Sequence, residues 1–493
     1  MRRGLLLALA GLLLVPGGGG AVAQDGDPLG QDLSAILADT RLKNAQAGLV
    51  VRDATSGEVV FSSSSGRRMQ PASNLKMLTT ALALETLGPD FRWRTDVLTD
   101  GSRAGDTLQG NVYLRGTGDP TMAAKHYQDL AVMLAAGGIR VVTGSLVVDD
   151  TAFDQVPYAL GWAWDDEPYA YNAETSALTL SPDAAFSAGT ILVKVRPSVA
   201  GQPVRVELDP PNTHVQVVNT AVTGPGSVSV LRDHGTNVIR VSGATSGGRD
   251  VLATVHDPSG LVANVFRKAL AANGVAVQGG TVAGATPASA VQAAHRDSMP
   301  LRELIVPLLK ASNNMLTEVL VKTAGKSWHG GLAALRPKLA ALGINPAELY
   351  VEDGSGLSRM DQISPDQLAS LLVAARSKPW FSTWYEAFPI AGRDGTLVNR
   401  MKSTPAEGNV HAKTGSMTGV TALSGYVTSA DGRQFVFSLV QNNFIGNAPK
   451  DLEDRVAIRL ASDVKGQQVM TTMVAPPPAS QRTDVECTWI QAC

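Results

Sequence analysis

A two-stranded hairpin is only marginally stable in water, and this chain carries a hairpin signal near each end. Ala47 to Ala54 and Glu58 to Ser63 read as strands joined by the turn Thr55-Ser56-Gly57, and Val420 to Thr428 and Gln434 to Gln441 as a second pair. Between them lie helix signals: Leu75, Leu78, Leu82 and Leu84 after Pro71 and Ser73, ending at Gly88-Pro89, then Leu301 to Leu309, Asn314 to Thr323, Gly331 to Leu342 and Pro365 to Arg376. Gln31 to Asp39 and Lys450 to Ser462 add a helix at either end. This order predicts one antiparallel sheet built from both termini and flanked by helices, an α+β domain.

From Trp93 to Arg296 the texture changes. Asn111 to Arg115, Val141 to Val148, Thr190 to Val195, Val204 to Leu208 and Val228 to Leu231 are β-rich runs, while Tyr127 to Ala136 and Gly260 to Asn273 read as helices. The 49 Gly, 27 Pro and 5% aromatic residues fit many turns and short strands. The expected organisation is a split domain over 24–92 and 297–473, interrupted by a β-rich insert over 93–296 made of two small domains. With 42 basic against 44 acidic residues the net charge is -2, which offers no field for a nucleic-acid backbone.

Residues 1–23 read as an export signal. Arg2 and Arg3 precede the apolar run Leu5 to Val15, Pro16 and Gly17 break it, and Ala21-Val22-Ala23 offers a cleavage site before Gln24. As a helix that run rises only about 16 Å, short of a hydrocarbon core of roughly 30 Å. The mature chain is expected outside the cytoplasm, in the periplasm or cell wall, without a transmembrane anchor. The tail 474–493, opening with Pro476-Pro477-Pro478, reads as a flexible extension, and Cys487 and Cys493 within it could close only a local disulfide.

The scattered histidines form no H-E-x-x-H motif or Cys/His cluster, so no metal or other cofactor is expected, and no G-x-S-x-G elbow occurs. Three other elements carry chemistry. In Ser73-Asn74-Leu75-Lys76 a spacing of three sets a hydroxyl and an amine one helical turn apart. That lysine must be neutral to act as a base, which calls for burial or a second cation. The same pattern recurs at Ser462-Asp463-Val464-Lys465, at a helix end with no apolar helix after it, so the spacing alone is equally well a capping serine and a solvated lysine. Ser312-Asn313-Asn314 offers a hydroxyl to relay a proton and an amide to hold a peptide group, or simply a capped turn. Lys413-Thr414-Gly415-Ser416 is a plausible carboxylate cradle on a strand, or an exposed edge.

In this order and context, the three elements resemble the active-site set of penicillin-recognising serine enzymes. Gly118-Asp119-Pro120-Thr121, Asp149-Asp150-Thr151-Ala152-Phe153, Asp353-Gly354-Ser355-Gly356-Leu357-Ser358-Arg359 and Asp394-Gly395-Thr396-Leu397 narrow the resemblance. Together with the long segment between Ser73 and Ser312, they are similar to the D-alanyl-D-alanine carboxypeptidase/endopeptidase family, the low-molecular-mass class C penicillin-binding proteins. The resemblance implies a penicillin-binding-protein/β-lactamase-like transpeptidase domain with inserted domains. It implies Ser73 as nucleophile, Lys76 as base, and Ser312 with Lys413 as proton relay. Asn314, Thr414, Gly415 and Ser416 would bind substrate, and Met417, Leu357 and Tyr171 would wall the stem peptide, with Asp165 or Asp166 meeting an amine on it. The implied partners are peptidoglycan stem peptides ending in D-Ala-D-Ala, and β-lactams that acylate Ser73. A serine β-lactamase would share the motifs but normally lacks so long an insert, and a non-catalytic wall-binding homologue has no need of all five of Ser73, Lys76, Ser312, Asn314 and Lys413.

Overall fold

A computed structural model describes residues 27–467. The expected export signal, the expected flexible tail and Cys487 and Cys493 lie outside the described residues. The expected sheet forms from both ends of the chain. Strands β1 (Gln46–Asp53) and β2 (Val59–Ser63) join β3 (His411–Met417), β4 (Val420–Thr428) and β5 (Gln434–Asn442) in the antiparallel order β3-β4-β5-β1-β2.

The period-two alternation of strand side chains sorts the sheet into two faces. Leu49, Val51, Phe435, Phe437 and Leu439 pack on α1 (Pro28–Leu37) and α6 (Lys450–Ala461). Val50, Ala422, Tyr426, Val436 and Val440 pack on α2 (Leu75–Thr86), α4 (Asn314–Gly325) and α5 (Pro365–Ala375), with α3 (Leu301–Lys310) in the same cluster. Each fully buried aliphatic or aromatic side chain contributes about 1.5–3 kcal/mol. Helix α2 is buried continuously from Leu75 to Leu84, so it lies inside the domain rather than on its surface. Its polar residues are satisfied internally: the Thr79 hydroxyl donates to the Gly354 carbonyl at 2.6 Å, and the Thr80 hydroxyl to the Lys76 carbonyl at 2.7 Å.

The chain passes from this sheet's surroundings into the middle segment at Trp93 and comes back at Ser298. There the Trp93 N–H donates to the Ser298 hydroxyl at 3.0 Å and the Ser298 N–H to the Trp93 carbonyl at 2.9 Å. Just beyond, Arg94–Thr99 pairs antiparallel with Val291–Asp297, so both ends of the intervening segment sit side by side. These strands belong to a sheet ordered Thr281–Ala283, Leu146–Asp149, Val112–Gly116, Arg94–Thr99, Val291–Asp297. Helices Ala124–Ala136 and Pro258–Ala272 cover a hydrophobic cluster that includes Val97, Leu114, Leu130, Ile191, Val241 and Phe266.

Two elements differ from the sequence reading. Val141 to Val148 is two short strands in different sheets, Val141–Val142 and Leu146–Asp149, parted where a side chain on Gly144 would overlap the Gly110 carbonyl. Gly331 to Leu342 is not one helix: α-helix Trp328–Leu335 gives way to 3-10 turns at Arg336–Lys338 and Ala340–Leu342, because Pro337 has no N–H for the α-ladder. The helix Phe381–Glu386, which buries Trp384, had no clear sequence signal. Among the described residues no helix is long and apolar enough to cross a membrane.

His126 makes the middle segment acid-sensitive. Its ring Nδ1 accepts the Ala123 N–H at 3.0 Å at the start of helix Ala124–Ala136. Burial, with the nearby positive charge of Arg296, pulls its pKa from 6.5 down to about 4. The folded value lies below the unfolded one, so the stability it supports is complete above 6.5 and is lost as pH falls through about 4. In a thermal-unfolding series Tm should decline over that window, and His126→Gln, which keeps an acceptor but cannot gain charge, should flatten the decline.

Candidate active site

Ser73 sits in a 3-10 turn, Ala72–Asn74, that runs directly into α2, and is 4% exposed. Ala72 holds a positive φ of 46°, and so does Ser312, at 58°, just before α4. Both are left-handed backbone positions in non-glycine residues, a strain that the surrounding structure must hold in place. Lys76, one turn on, is wholly buried. Its Nζ donates to Ser73 Oγ at 2.7 Å and to the Ser355 carbonyl at 2.9 Å.

The second lysine arrives on β3. Lys413 is also wholly buried, in register with Ser424 and, through it, Ser438, on the sheet face that meets α2. Its Nζ donates to Ser312 Oγ and to the Thr414 carbonyl, both at 2.8 Å. The two serine–lysine pairs come side by side because β3 lies against the Ser73 turn. The Asn74 side-chain amide donates to the Lys413 carbonyl at 3.1 Å, and a Cβ on Gly415 would fall 2.8 Å from the Pro71 carbonyl oxygen. Gly415 is therefore required for close approach.

The remaining predicted residues lie on or next to these same elements. The Asn314 amide nitrogen donates to the Tyr171 carbonyl at 2.8 Å, so the middle segment reaches the site through a backbone atom. The Tyr171 ring stacks on Tyr169 with centroids 5.6 Å apart, and its hydroxyl donates to Asp166 at 2.6 Å. Burial pushes the half-buried Asp166 carboxyl upward, and burial with Asp166 pushes the Tyr171 phenol up in turn. Thr414 Oγ1 meets Thr396 Oγ1 at 2.8 Å. Ser416 and Met417 follow it on β3, half-buried, and Leu357, also half-buried, follows Gly356, whose φ is +81° and whose Cβ would overlap the Ala72 carbonyl. By contrast Ser462 merely bonds the Ile458 carbonyl at 2.8 Å at the end of α6, and Lys465 is exposed.

Sequence reasoning assigned no role to the carboxylates behind Lys76. Glu318, Asp353 and Asp361 are all wholly buried. Glu318 on α4 accepts the Ser355 N–H at 2.8 Å, the Gly354 N–H at 3.0 Å and the Trp328 indole N–H at 2.7 Å. Asp353 accepts the Gly356 N–H at 2.8 Å, the Ser358 N–H at 2.7 Å and the Trp162 indole N–H at 2.8 Å. Burial, then the charge of Asp353, pushes Glu318 above the usual carboxylate range, and Asp361 well above it. The Asp-Gly-Ser-Gly run was the one available signal for this loop.

A serine hydroxyl hydrogen-bonded to a buried amine, beside a second such pair, is suited to acyl transfer without histidine. The family model of D-Ala-D-Ala carboxypeptidase 3 (S13) matches residues 29–463. The chain belongs to that family. It is 40% identical over 486 residues to the D-alanyl-D-alanine carboxypeptidase of Actinomadura sp. (strain R39), covering 94% of this chain and 90% of the relative. It is 26% identical over 437 residues to D-alanyl-D-alanine carboxypeptidase DacB of Haemophilus influenzae, covering 84% and 88%. The crystal structure of penicillin binding protein 4 from H. influenzae superposes with a TM-score of 0.76 at 25% identity, over 87% of this chain and 98% of that one. Its complex with a novel β-lactam superposes with a TM-score of 0.71 at 22% identity, over the same shares. The family resemblance carried by the motifs and the α+β fold are thus borne out.

Gly356→Ala tests how tightly this family site is packed. The new methyl group meets backbone rather than a movable side chain, so the Ser73 turn must shift. Stopped-flow acylation by a fluorescent penicillin should slow about a hundredfold, the order expected when a reacting group moves by about 1 Å.

Proposed function

We propose that the chain is an exported serine DD-peptidase that cleaves the D-Ala-D-Ala ends of peptidoglycan stem peptides, and D-Ala cross-links as well, through an acyl-enzyme on Ser73. The observation that carries this is the 2.7 Å bond between Lys76 Nζ and Ser73 Oγ, beside the second pair of Ser312 and Lys413. Lys76 takes the Ser73 proton as Oγ bonds to the carbonyl carbon between the two D-alanines. The backbone N–H groups of Ser73 and Ser416 receive the developing oxyanion. The C–N bond then breaks, the departing amine takes a proton by way of Ser312, helped by Lys413, and water hydrolyses the ester.

Asn314 holds the substrate backbone, and Lys413, Thr414 and Ser416 bind the terminal carboxylate around the close approach that Gly415 permits. Tyr171, Leu357 and Met417 wall the stem side chain, with Asp166 facing an amine on it. A β-lactam enters as a mimic of the peptide and leaves Ser73 acylated. Residues 24–92 and 297–473 act as the split catalytic domain and 93–296 as its insert, and the mature protein works in the periplasm or cell wall after cleavage near Ala23.

Mature protein treated with a fluorescent penicillin should carry one adduct, located on Ser73 by mass spectrometry and absent from Ser73→Ala. Rapid penicillin turnover without a trapped adduct would instead indicate a β-lactamase. Amidating the terminal carboxylate of a D-Ala-D-Ala peptide should lower kcat/KM about tenfold or more, since it removes a charge-assisted hydrogen bond. Undiminished turnover of the amide would show a preference for cross-links over free ends.

A further inference from the structure

In a nucleophile–base pair, a third group commonly orients the base and stabilises its protonated form. The contacts around Lys76 supply one indirectly. Lys76 Nζ donates to the Ser355 carbonyl at 2.9 Å. The same peptide unit continues into the N–H of Gly356, which donates to Asp353 Oδ1 at 2.8 Å. A single peptide group therefore stands between the amine and a wholly buried carboxylate. We propose that Asp353, acting through the Ser355–Gly356 peptide, is the positioning residue of the base Lys76. This deepens the acyl-transfer reading above and rests on it.

A carboxylate on the N–H side of a peptide polarises its carbonyl, making the oxygen a stronger acceptor. That matters most when Lys76 has taken the Ser73 proton and carries a positive charge out of reach of water. The Asp353 oxygens accept from Gly356, Ser358 and the Trp162 indole, and every one of these donors favours the carboxylate. Asp361, beside it in the same loop, is shifted well toward the protonated acid by burial and then by Asp353.

Glu318 from α4 also faces this cluster. Glu318 grips the preceding N–H groups, Gly354 and Ser355, and fixes where the peptide lies. Lys322, also on α4, feels the charge of Glu318 but bonds Asp154 at 2.7 Å. Lys413 bonds Ser312 at 2.8 Å. Asp353 is the carboxylate among these that bonds the peptide on which Lys76 rests.

The test is the pH dependence of Ser73 acylation by benzylpenicillin in the mature chain, comparing wild type with Asp353→Asn. Losing the charge should slow acylation about tenfold or more. It should also move the acid limb to lower pH by about one unit, the size expected when a nearby opposite charge is removed. A slower variant with an unmoved acid limb would make Asp353 a structural clamp on the loop and overturn the proposal. Should Asp353→Asn not fold, wild-type protein labelled with 15N-glycine decides the matter. The Gly356 amide resonance should titrate with the midpoint of the acid limb and stop doing so in Lys76→Met, and a resonance stationary across the limb would overturn the proposal. Wild-type acylation by Lys76→Met would instead remove the base reading itself, so the two failures are distinguishable.

Discussion

Burying a lysine amine away from water is expensive unless acceptors surround it, and this site buries two. Lys76 and Lys413 have no exposed surface, and each amine meets a serine hydroxyl and a backbone carbonyl. Most of the local architecture serves to present those acceptors. The left-handed residues Ala72 and Ser312 turn the two serines inward. Gly356 and Gly415 let neighbouring backbones close in where any side chain would intrude. The same requirement explains why the site is assembled from α2, α4, β3 and a loop rather than from one element: no single helix or strand can surround an amine on all sides.

The middle segment belongs to this arrangement as well. Its Tyr171 carbonyl occupies the Asn314 amide, and its Trp162 indole holds Asp353. Phe153, Ala159 and Ala177 pack into the same hydrophobic cluster as α2 and α4. The segment therefore touches the chemistry from two directions, while most of its own strands lie around a separate apolar cluster.

Much of the fold was legible because hydrophobic periodicity is local. The apolar runs of β4, β5 and α2 could each be read within a short window. Ser73 and Lys76 were legible for the same reason, yet Ser462 and Lys465 show the identical spacing at a helix terminus and do no more than cap it. What separates them is burial, which spacing does not encode. The carboxylate shell was not legible: Glu318 reads as one more residue of an amphipathic helix, and its importance comes from N–H groups in a distant loop. Tyr171 was singled out for its ring, whereas its contact with Asn314 is made by a backbone oxygen common to every residue type. Val141 to Val148 was misread because Gly144 breaks the strand through a tertiary contact with Gly110.

The paired hydrogen bonds between Trp93 and Ser298 have a consequence for how such a chain can reach its native state. Strand β1 must find β5, its neighbour in the sheet but nearly the whole sequence away. Once the neck is tied, everything between those two residues becomes a closed loop, and the rest of the domain behaves as a much shorter chain. The entropy of closing such a loop grows only with the logarithm of its length. The intervening segment could lengthen or shorten a great deal at little thermodynamic penalty to the sheet, provided its ends still meet and the few residues it lends to the site stay in place.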